Sequence, residues 1–233
     1  MVRVLAMVLV LCVAESAAAQ PAGPGRLVRL DGLAAVIGGD SPGSGVDVVL
    51  RSDVELRARI ALAGRTRGPI HLGPIPAGLL RATLDEIIGE HLIAREAERV
   101  RAADPTGKDV EREYGRLVRS AGGQARMTTL LKALSARDEE LDAVAERRAM
   151  VAAFLSANLE GATVVTQSEV ERAYQAWLAE HGADTGEPAV QVKRRLRARL
   201  SREALARTIE RWVRVLRARI PVRIYAEFRD GRP

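Results

Sequence analysis

Apolar residues recur with helical spacing through most of the chain, and the stretch around which the rest is expected to pack lies between residues 77 and 103. The residues of this stretch that share one wide face of a 3.6-residue helix are Leu80, Leu84, Ile87, Ile88, Leu92, Ile93, Ala97 and Val100. Because the residue before a proline disfavours the α region, Asp104-Pro105 is predicted to end this helix. A helix of about 27 residues spans roughly 40 Å, so it needs packing partners on several sides.

The same spacing predicts six further helices, and three of them have a residue that can cap the helix. Their predicted bounds are 52–62, 108–120, 126–134, 138–159, 166–181 and 189–219. Ser52 with Glu55, and Thr166 with Glu169, have the spacing of a capping box. Thr106 precedes the helix that begins at residue 108 and is predicted to be its N-cap.

Short apolar or alternating stretches predict strands at both ends of the chain. They cover residues 27–37, 46–50 and 222–228. The first two flank a loop rich in Gly, Ser and Pro at 38–45, which favours a hairpin. The third alternates as VRIYAEF and is predicted to pair with that hairpin.

The predicted fold class is therefore mainly α, a multi-helix body with one small sheet built from the N-terminal hairpin and the C-terminal strand. Residues 27–180 are expected to form the core of this domain. Residues 188–228 are expected to fold back on that core as a final helix and strand.

The first 19 residues have the pattern of a secretory signal peptide. Arg3 precedes the apolar run from Val4 to Val13, which is too short to span a bilayer. Cleavage is expected near Ala19, followed by a disordered lead-in at residues 20–26. A buried N-terminal helix is the alternative interpretation of this segment.

The cysteine content limits the chemistry of the mature protein. Cys12 is the only cysteine and lies inside the predicted signal peptide, so the mature chain would have no disulfide, thiolate metal site or cysteine nucleophile. An exported protein without thiols is typical of a bacterial envelope. We therefore expect a periplasmic protein, with no transmembrane segment after the signal peptide.

The charge balance favours an acidic partner over a neutral one. The chain has 36 Lys and Arg against 30 Asp and Glu, a formal net charge of +6. Nucleic acid and an anionic membrane surface are the two general candidates. Nucleic acid is not expected, because the chain has an export signal and because aromatic residues, at 3%, are too few to form base-stacking platforms.

No motif predicts an enzyme, a metal or another cofactor. Gly38 and Gly43 have the spacing of a phosphate loop, but Ser44-Gly45 stands where Lys-Ser/Thr is required. The three histidines, His71, His91 and His181, have no paired-ligand spacing. His91 is interpreted as a hydrogen-bonded core residue, and the acidic pairs Asp85-Glu86 and Glu139-Glu140 as solvated helix faces.

Four stretches, taken in their order along the chain, carry a resemblance to a known family. They are LRSDV at 50–54, EIIGEHLIAREAER at 86–99, VTQSEV at 165–170 and LRARIPVRIY at 216–225. The order resembles that of the N-terminal chaperone domain of SurA-type periplasmic proteins and covers most of the mature chain. In that family a parvulin-type prolyl isomerase domain commonly follows the third stretch. Only residues 181–188 stand there in this chain, so the resemblance implies the chaperone core without the isomerase.

The resemblance implies an ATP-independent holdase that binds unfolded outer-membrane or secreted polypeptides. The alternative is a structural or assembly protein of the envelope that binds one fixed partner. A degenerate isomerase is a third and weaker interpretation.

Methionine and aromatic side chains suit surfaces that accept varied apolar partners, although the same residues also fill cores. The candidate peptide-binding residues are Met127, Met150, Phe154, Tyr174, Trp177 and Trp212. The basic run at 193–202 is interpreted as a solvated face, with contact to acidic clients or anionic lipid as the alternative.

Overall fold

The computed structural model describes residues 31–39, 45–66, 68–101, 104–159, 164–182, 186–225 and 228, all of which lie in one compact unit, Asp31–Pro233. The described strands are β1 (Leu33–Gly38), β2 (Val46–Leu50) and β3 (Val222–Ile224). The described helices are α1 (Arg51–Arg65), α2 (Ala77–Val100), α3 (Gly107–Ser120), α4 (Gln124–Leu134), α5 (Asp138–Asn158), α6 (Gln167–His181) and α7 (Ala189–Arg219). The predicted signal peptide at 1–19, the lead-in at 20–26 and the start of the first predicted strand at 27–30 lie outside the described residues.

The three strands form one antiparallel sheet in the order β2-β1-β3. Val36 of β1 lies opposite Val48 on one side and Arg223 on the other. This confirms the predicted mainly helical fold with a small sheet that joins the hairpin to the C-terminal strand.

The C-terminal strand is shorter than the alternation of VRIYAEF predicts. Its pairing with β1 ends at Ile224, after which the Tyr225 N–H donates to the Ala34 carbonyl over 3.1 Å. The Phe228 N–H then donates to the Tyr225 carbonyl, and the turn places the Phe228 side chain in the apolar core. The predicted end of the strand at residue 228 was therefore wrong. Phe228 bonds back to the Tyr225 carbonyl and buries its side chain instead of continuing the strand.

Two helix ends differ from prediction because a local hydrogen bond outweighs the sequence signal. The α2 helix ends at Val100, before Asp104-Pro105, since Arg101 adopts a left-handed conformation (φ 48°) and its N–H donates to the Ala97 and Glu98 carbonyls. At α1 the N-cap is Leu50 rather than Ser52.

The caps at three helix starts follow the same logic of satisfying free backbone groups. The Leu50 N–H donates to the Asp53 carboxylate over 2.9 Å, while the Ser52 hydroxyl bonds to Asp31 instead. The predicted caps Thr106 and Thr166 are confirmed, each accepting the backbone N–H three residues ahead over 3.3 Å.

Helix α2 packs against α1, α5, α7 and the sheet, and the fold has two apolar cores. The first core lies between α2, the sheet, α5 and the end of α7, and its largest fully buried side chains are Phe154, Ile37, Leu84, Ile88, Leu92, Leu216, Val49 and Val54. The second core lies between α1, α3, α4 and α5, and its largest fully buried side chains are Leu117, Met127, Leu130 and Leu141.

The C-terminal helix α7 packs on α6 with its first half and on the first core with its second half. Glu171 bonds Lys193 over 2.6 Å and Gln167 bonds Arg197, so α6 and α7 run antiparallel. Val170, Val192 and Leu196 are buried near this contact, outside both cores. Among the described helices none combines the length and the apolar content needed to cross a membrane.

Candidate functional site

The six predicted peptide-binding residues fall in three different places. Met127 lies in the second core, and Phe154 lies in the first core with its ring stacked on Trp212 at 4.8 Å between centroids. Met150 packs against the first core from its edge. Tyr174 and Trp177 lie on α6, outside both cores. The structure therefore does not bring the six side chains into a single groove.

Met127 and Phe154 are core residues in this conformation. Met127 is 0% exposed and Phe154 is 2% exposed. A side chain with so little accessible surface cannot touch a partner, so these two contribute packing. The residue types gave no means of telling core from surface here, because methionine and aromatic side chains suit both.

The surface of α6 carries three stacked rings, which we call the aromatic row: Tyr174, Trp177 and His181. The Tyr174 and Trp177 rings lie 6.2 Å apart at 13°, and the Trp177 and His181 rings 4.9 Å apart at 15°. Residues three and four apart on a helix share one face, which accounts for the stacking. Tyr174 and Trp177 are half-buried and His181 is exposed.

A cation from α7 covers one end of the aromatic row. The Lys193 ammonium lies 4.6 Å from the centre of the Tyr174 ring, a cation–π contact, and it also bonds Glu171. The predicted basic run at 193–202 is partly neutralised, because Arg195 pairs with Glu187 and Arg199 with Glu203.

Arg194 and Arg202, from the same run, are exposed and form no ion pair with the described residues. Arg194, next to Lys193, therefore leaves a positive charge on α7 near the end of the aromatic row that Lys193 covers.

A second surface of interest is a cleft between α2 and α5, beside β2, with a volume of about 550 Å³. Its polar side chains include Asp47, His91, Arg95 and Arg147. Its apolar side chains are Ala94, Pro105, Val110, Ala143 and Met150. We call it the α2–α5 cleft, and Met150 is the only one of the six predicted residues that lines it.

Hydrogen bonds fix the polar side chains of the α2–α5 cleft. Arg95 donates to the Ile37 carbonyl over 2.9 Å and to the Asp47 carboxylate over 3.0 Å. His91 accepts from Arg147 at Nε2, while its Nδ1 lies 3.7 Å from Asp47. Burial, together with the nearby charge of Arg147, lowers the pKa of His91 to about 4, so the imidazole is neutral at pH 7. His91 is thus a polar residue of the cleft, with a hydrogen-bond partner as predicted.

Next to the cleft, four charged residues form an ion-pair network that joins α1, α2 and α5. Arg57 donates to Glu90 over 2.8 Å and to Glu86 over 3.2 Å, and Arg148 donates to the same two carboxylates over 2.9 and 3.0 Å. Burial by itself would raise the pKa of Glu90, but the hydrogen bonds and charges of Arg57 and Arg148 outweigh it, and the pKa lies below its ordinary value. This network holds helices together.

The Asp85 and Glu86 side chains are 42% and 58% exposed, as expected for a solvated helix face, but both carboxylates also form ion pairs. Glu86 belongs to the network just described, and Asp85 pairs with Arg81 over 3.3 Å and with Arg217 over 2.9 Å. Most of these ion pairs could not be predicted from local spacing, because Arg57, Arg148 and Arg217 come from helices other than α2. Arg147 and Arg148 stand next to each other within the apolar helical pattern of α5. They were the local sign in the sequence of the ion-pair network and of the polar side chains in the α2–α5 cleft.

Within the residues that the structure describes, no three side chains of the kinds His, Cys, Asp and Glu are grouped so that they could hold a metal ion. Comparison with protein-family models gives no match to the chain. A search among curated proteins likewise gives no match.

Proposed function

We propose that this chain is an ATP-independent periplasmic holdase that binds unfolded outer-membrane or secreted polypeptides and has no prolyl isomerase activity. The observation that carries the proposal is the aromatic row of Tyr174, Trp177 and His181, which lies outside both cores and near the positive charge of Arg194 on α7. Aromatic rings offer a large contact area at a low cost in side-chain entropy. They therefore suit a client that has no fixed shape.

The chemistry of the expected client agrees with this surface. Strands of an unfolded outer-membrane barrel expose alternating apolar side chains, which aggregate unless they are held. The rings can contact such side chains, and Arg194 and Arg202 can contact acidic residues between them. The resemblance of the four sequence stretches to the SurA-type chaperone domain supports the same proposal, and so does the observed combination of a helical body with a small sheet.

The test is light scattering by a barrel protein diluted from denaturant, with the chain from Gln20 to Pro233 in excess and no nucleotide present. We expect scattering to fall, and refolding limited by prolyl isomerisation to keep its uncatalysed rate. A variant carrying Tyr174→Ser and Trp177→Ser should lose most of the suppression, because the rings that contact the client are removed.

Val164→Ser is the matched control, since Val164 is an apolar residue that is 73% exposed and precedes α6, at the end opposite the aromatic row. It should suppress aggregation as well as the unmodified chain does. Unchanged aggregation by the unmodified chain, together with cross-linking to one native partner in fixed stoichiometry, would instead establish the fixed-partner alternative. If the variant with both substitutions still suppresses aggregation, the chain is a holdase whose client-binding surface is not the aromatic row.

A further inference from the structure

The α2–α5 cleft contains a guanidinium that lies near several carboxylates but forms no direct ion pair within the described part of the chain. Arg147 contacts His91, which is neutral, and it forms no ion pair with any of the described residues. Arg148, the next residue on the same helix, pairs with two carboxylates. Arg148 therefore helps to hold the fold together, whereas Arg147 has no carboxylate paired with it among the described residues.

The acidic groups nearest to Arg147 are already engaged elsewhere. Glu90 accepts from Arg57 and Arg148, Asp47 accepts from Arg95, and Asp53 accepts the Leu50 N–H. Burial lowers the pKa of Arg147, which means that the charged form is disfavoured at this position. A partly buried cation is costly unless it is paired, so an anion that enters the cleft recovers this cost.

The other side chains of the cleft define which anion fits. Val110, Ala143 and Met150 offer an apolar wall, and a volume of about 550 Å³ lies in the range of small-ligand sites. Arg95 already pairs with Asp47 and bonds two backbone carbonyls, whereas Arg147 is a cation of the cleft that pairs with none of the described carboxylates.

The acidic residues of the cleft limit the charge of the ligand. Glu98 and Glu146 also line it, and both are exposed. They would repel a second negative charge, which disfavours phosphates and dicarboxylates. A single carboxylate can pair with Arg147 and meets less of that repulsion than a dianion does.

We infer that the α2–α5 cleft is a binding site for a monoanionic carboxylate with a compact apolar body, in which Arg147 pairs with the carboxylate and Met150 contacts the apolar part. An arginine can donate two parallel hydrogen bonds to a carboxylate, which gives both strength and orientation. His91 is a positioning residue, since its Nε2 holds the guanidinium in place. The ligand is a free organic acid or the C-terminal residue of a polypeptide, and only the second source rests on the proposed holdase function.

The experiment is a calorimetric titration of the Gln20–Pro233 chain with N-acetylphenylalanine and with its amide, which differ in charge alone. We expect the acid to bind at least about tenfold more tightly than the amide, the range of a charge-assisted pair. Arg147→Gln should abolish this preference. Arg211→Gln is the control, because Arg211 is an exposed residue of α7 that does not line the cleft, and it should leave the preference unchanged.

The stability of the ligand-free variant gives an independent readout. Removing a cation that forms no direct ion pair with the described residues should leave Arg147→Gln as resistant to urea as the unmodified chain, or more so. If Arg147→Gln is destabilised and Arg147→Lys restores stability without restoring acid binding, Arg147 is structural and the inference fails. Equal binding of acid and amide by the unmodified chain overturns it as well.

Two peptides distinguish the sources of the carboxylate, one ending in a free Phe carboxylate and one in the corresponding amide. Tighter binding of the free peptide than of N-acetylphenylalanine assigns the cleft to polypeptide C-termini, and equal or weaker binding assigns it to small acids. Neither titration depends on suppression of aggregation. A failure here is therefore distinguishable from a failure of the holdase proposal, which is tested on the aromatic row.

Discussion

At the scale of single residues, one buried carboxylate of α2 binds arginines from α1 and α5. Glu90 is the point where two arginines meet, and its side chain is only 12% exposed. Arg57 is buried as deeply and depends on Glu90 and Glu86 for its pairing. Removal of one partner from such a group leaves an uncompensated charge in the interior.

Glu90→Gln should therefore lower the free energy of unfolding by about 3–5 kcal/mol, the usual cost of breaking a buried ion pair. Urea denaturation followed by circular dichroism measures it. Glu111→Gln is the matched control, because Glu111 is an exposed residue of α3, and its effect should stay within about 0.5 kcal/mol. A loss as small in Glu90→Gln would show that the network contributes little to stability.

His91 gives the protein a predictable dependence of stability on pH. An unfolded histidine takes up a proton near pH 6.5, whereas the folded one does so only at about 4. Between these values the unfolded chain binds more protons, so stability is fully present above pH 6.5 and falls as the pH is lowered towards 4. The full difference corresponds to about 3 kcal/mol.

The measurement compares urea denaturation at pH 7.5 and pH 5. The unmodified chain should lose more stability between these values than His91→Gln does, because the variant has no group with this shift. His181→Gln replaces an exposed histidine of α6 and should behave like the unmodified chain. If His91→Gln loses as much stability between pH 7.5 and pH 5 as the unmodified chain does, groups other than His91 cause the loss.

At the scale of elements, one glycine sets the distance between two helices. A Cβ atom added at Gly64 of α1 would lie 2.0 Å from the Ser120 carbonyl oxygen at the end of α3. Because the neighbour is backbone, the two helices must move apart to make room. Gly78 of α2 is the opposite case, since nothing lies within 4 Å of the corresponding Cβ position.

Gly64→Ala should destabilise the protein by about 1–3 kcal/mol, the range of an overpacked contact. Gly78→Ala should instead raise stability, by up to about 1 kcal/mol, because alanine restricts the unfolded chain and favours helix. Thermal unfolding of the two single variants is the measurement. Equal effects of the same sign would contradict the close approach of α1 and α3.

Elements were predictable from sequence where the signal is local. The Thr106 and Thr166 caps, the start of α7 and the presence of all three strands follow from residue type and spacing. Two errors involve distant contacts, since Phe228 is buried in the first core and Ser52 bonds Asp31, whereas the end of α2 is set locally by the Arg101 N–H.

The candidate surfaces were less predictable for the same physical reason. The i, i+3 spacing places Tyr174 and Trp177 together on α6, so the aromatic row follows from sequence once that helix is known. Whether Arg147 forms an ion pair depends on whether the nearby carboxylates are already bonded to other groups. Those carboxylates come from β2, α1 and α2. No pattern along the chain contains that information.

At the scale of the whole molecule, β3 completes the sheet that the N-terminal hairpin begins. The Gly38 N–H donates to the Pro221 carbonyl over 2.9 Å, and Arg81 donates to the Phe228 carbonyl over 2.7 Å. A two-stranded hairpin by itself is marginal in water. The third strand and the Phe228 ring are therefore needed to keep β1 in place.

A chain that stops after Ile220 should unfold at a lower temperature and exchange the Gly38 amide hydrogen much faster. The shortened chain should also lose free energy of unfolding, and the missing Phe228 ring should account for about 3–5 kcal/mol of that loss. Phe228→Ala in the chain that ends at Pro233 should show the same loss of about 3–5 kcal/mol. Tyr225→Ala is the control, because Tyr225 is 41% exposed and its backbone bond to Ala34 is retained. Undiminished protection of Gly38 in the shortened chain would show that the hairpin stands without β3.

The pairing of β1 with β3 also has a consequence in time. Polypeptides are made from the N-terminus, so β1 emerges early and must wait for nearly the entire chain before its second neighbour exists. Closing so long a loop is slow, and the waiting strand offers an unpaired edge meanwhile. A product of premature termination never closes its sheet and stays open to proteolysis. The sheet is therefore complete only after β3 has been made and has paired with β1.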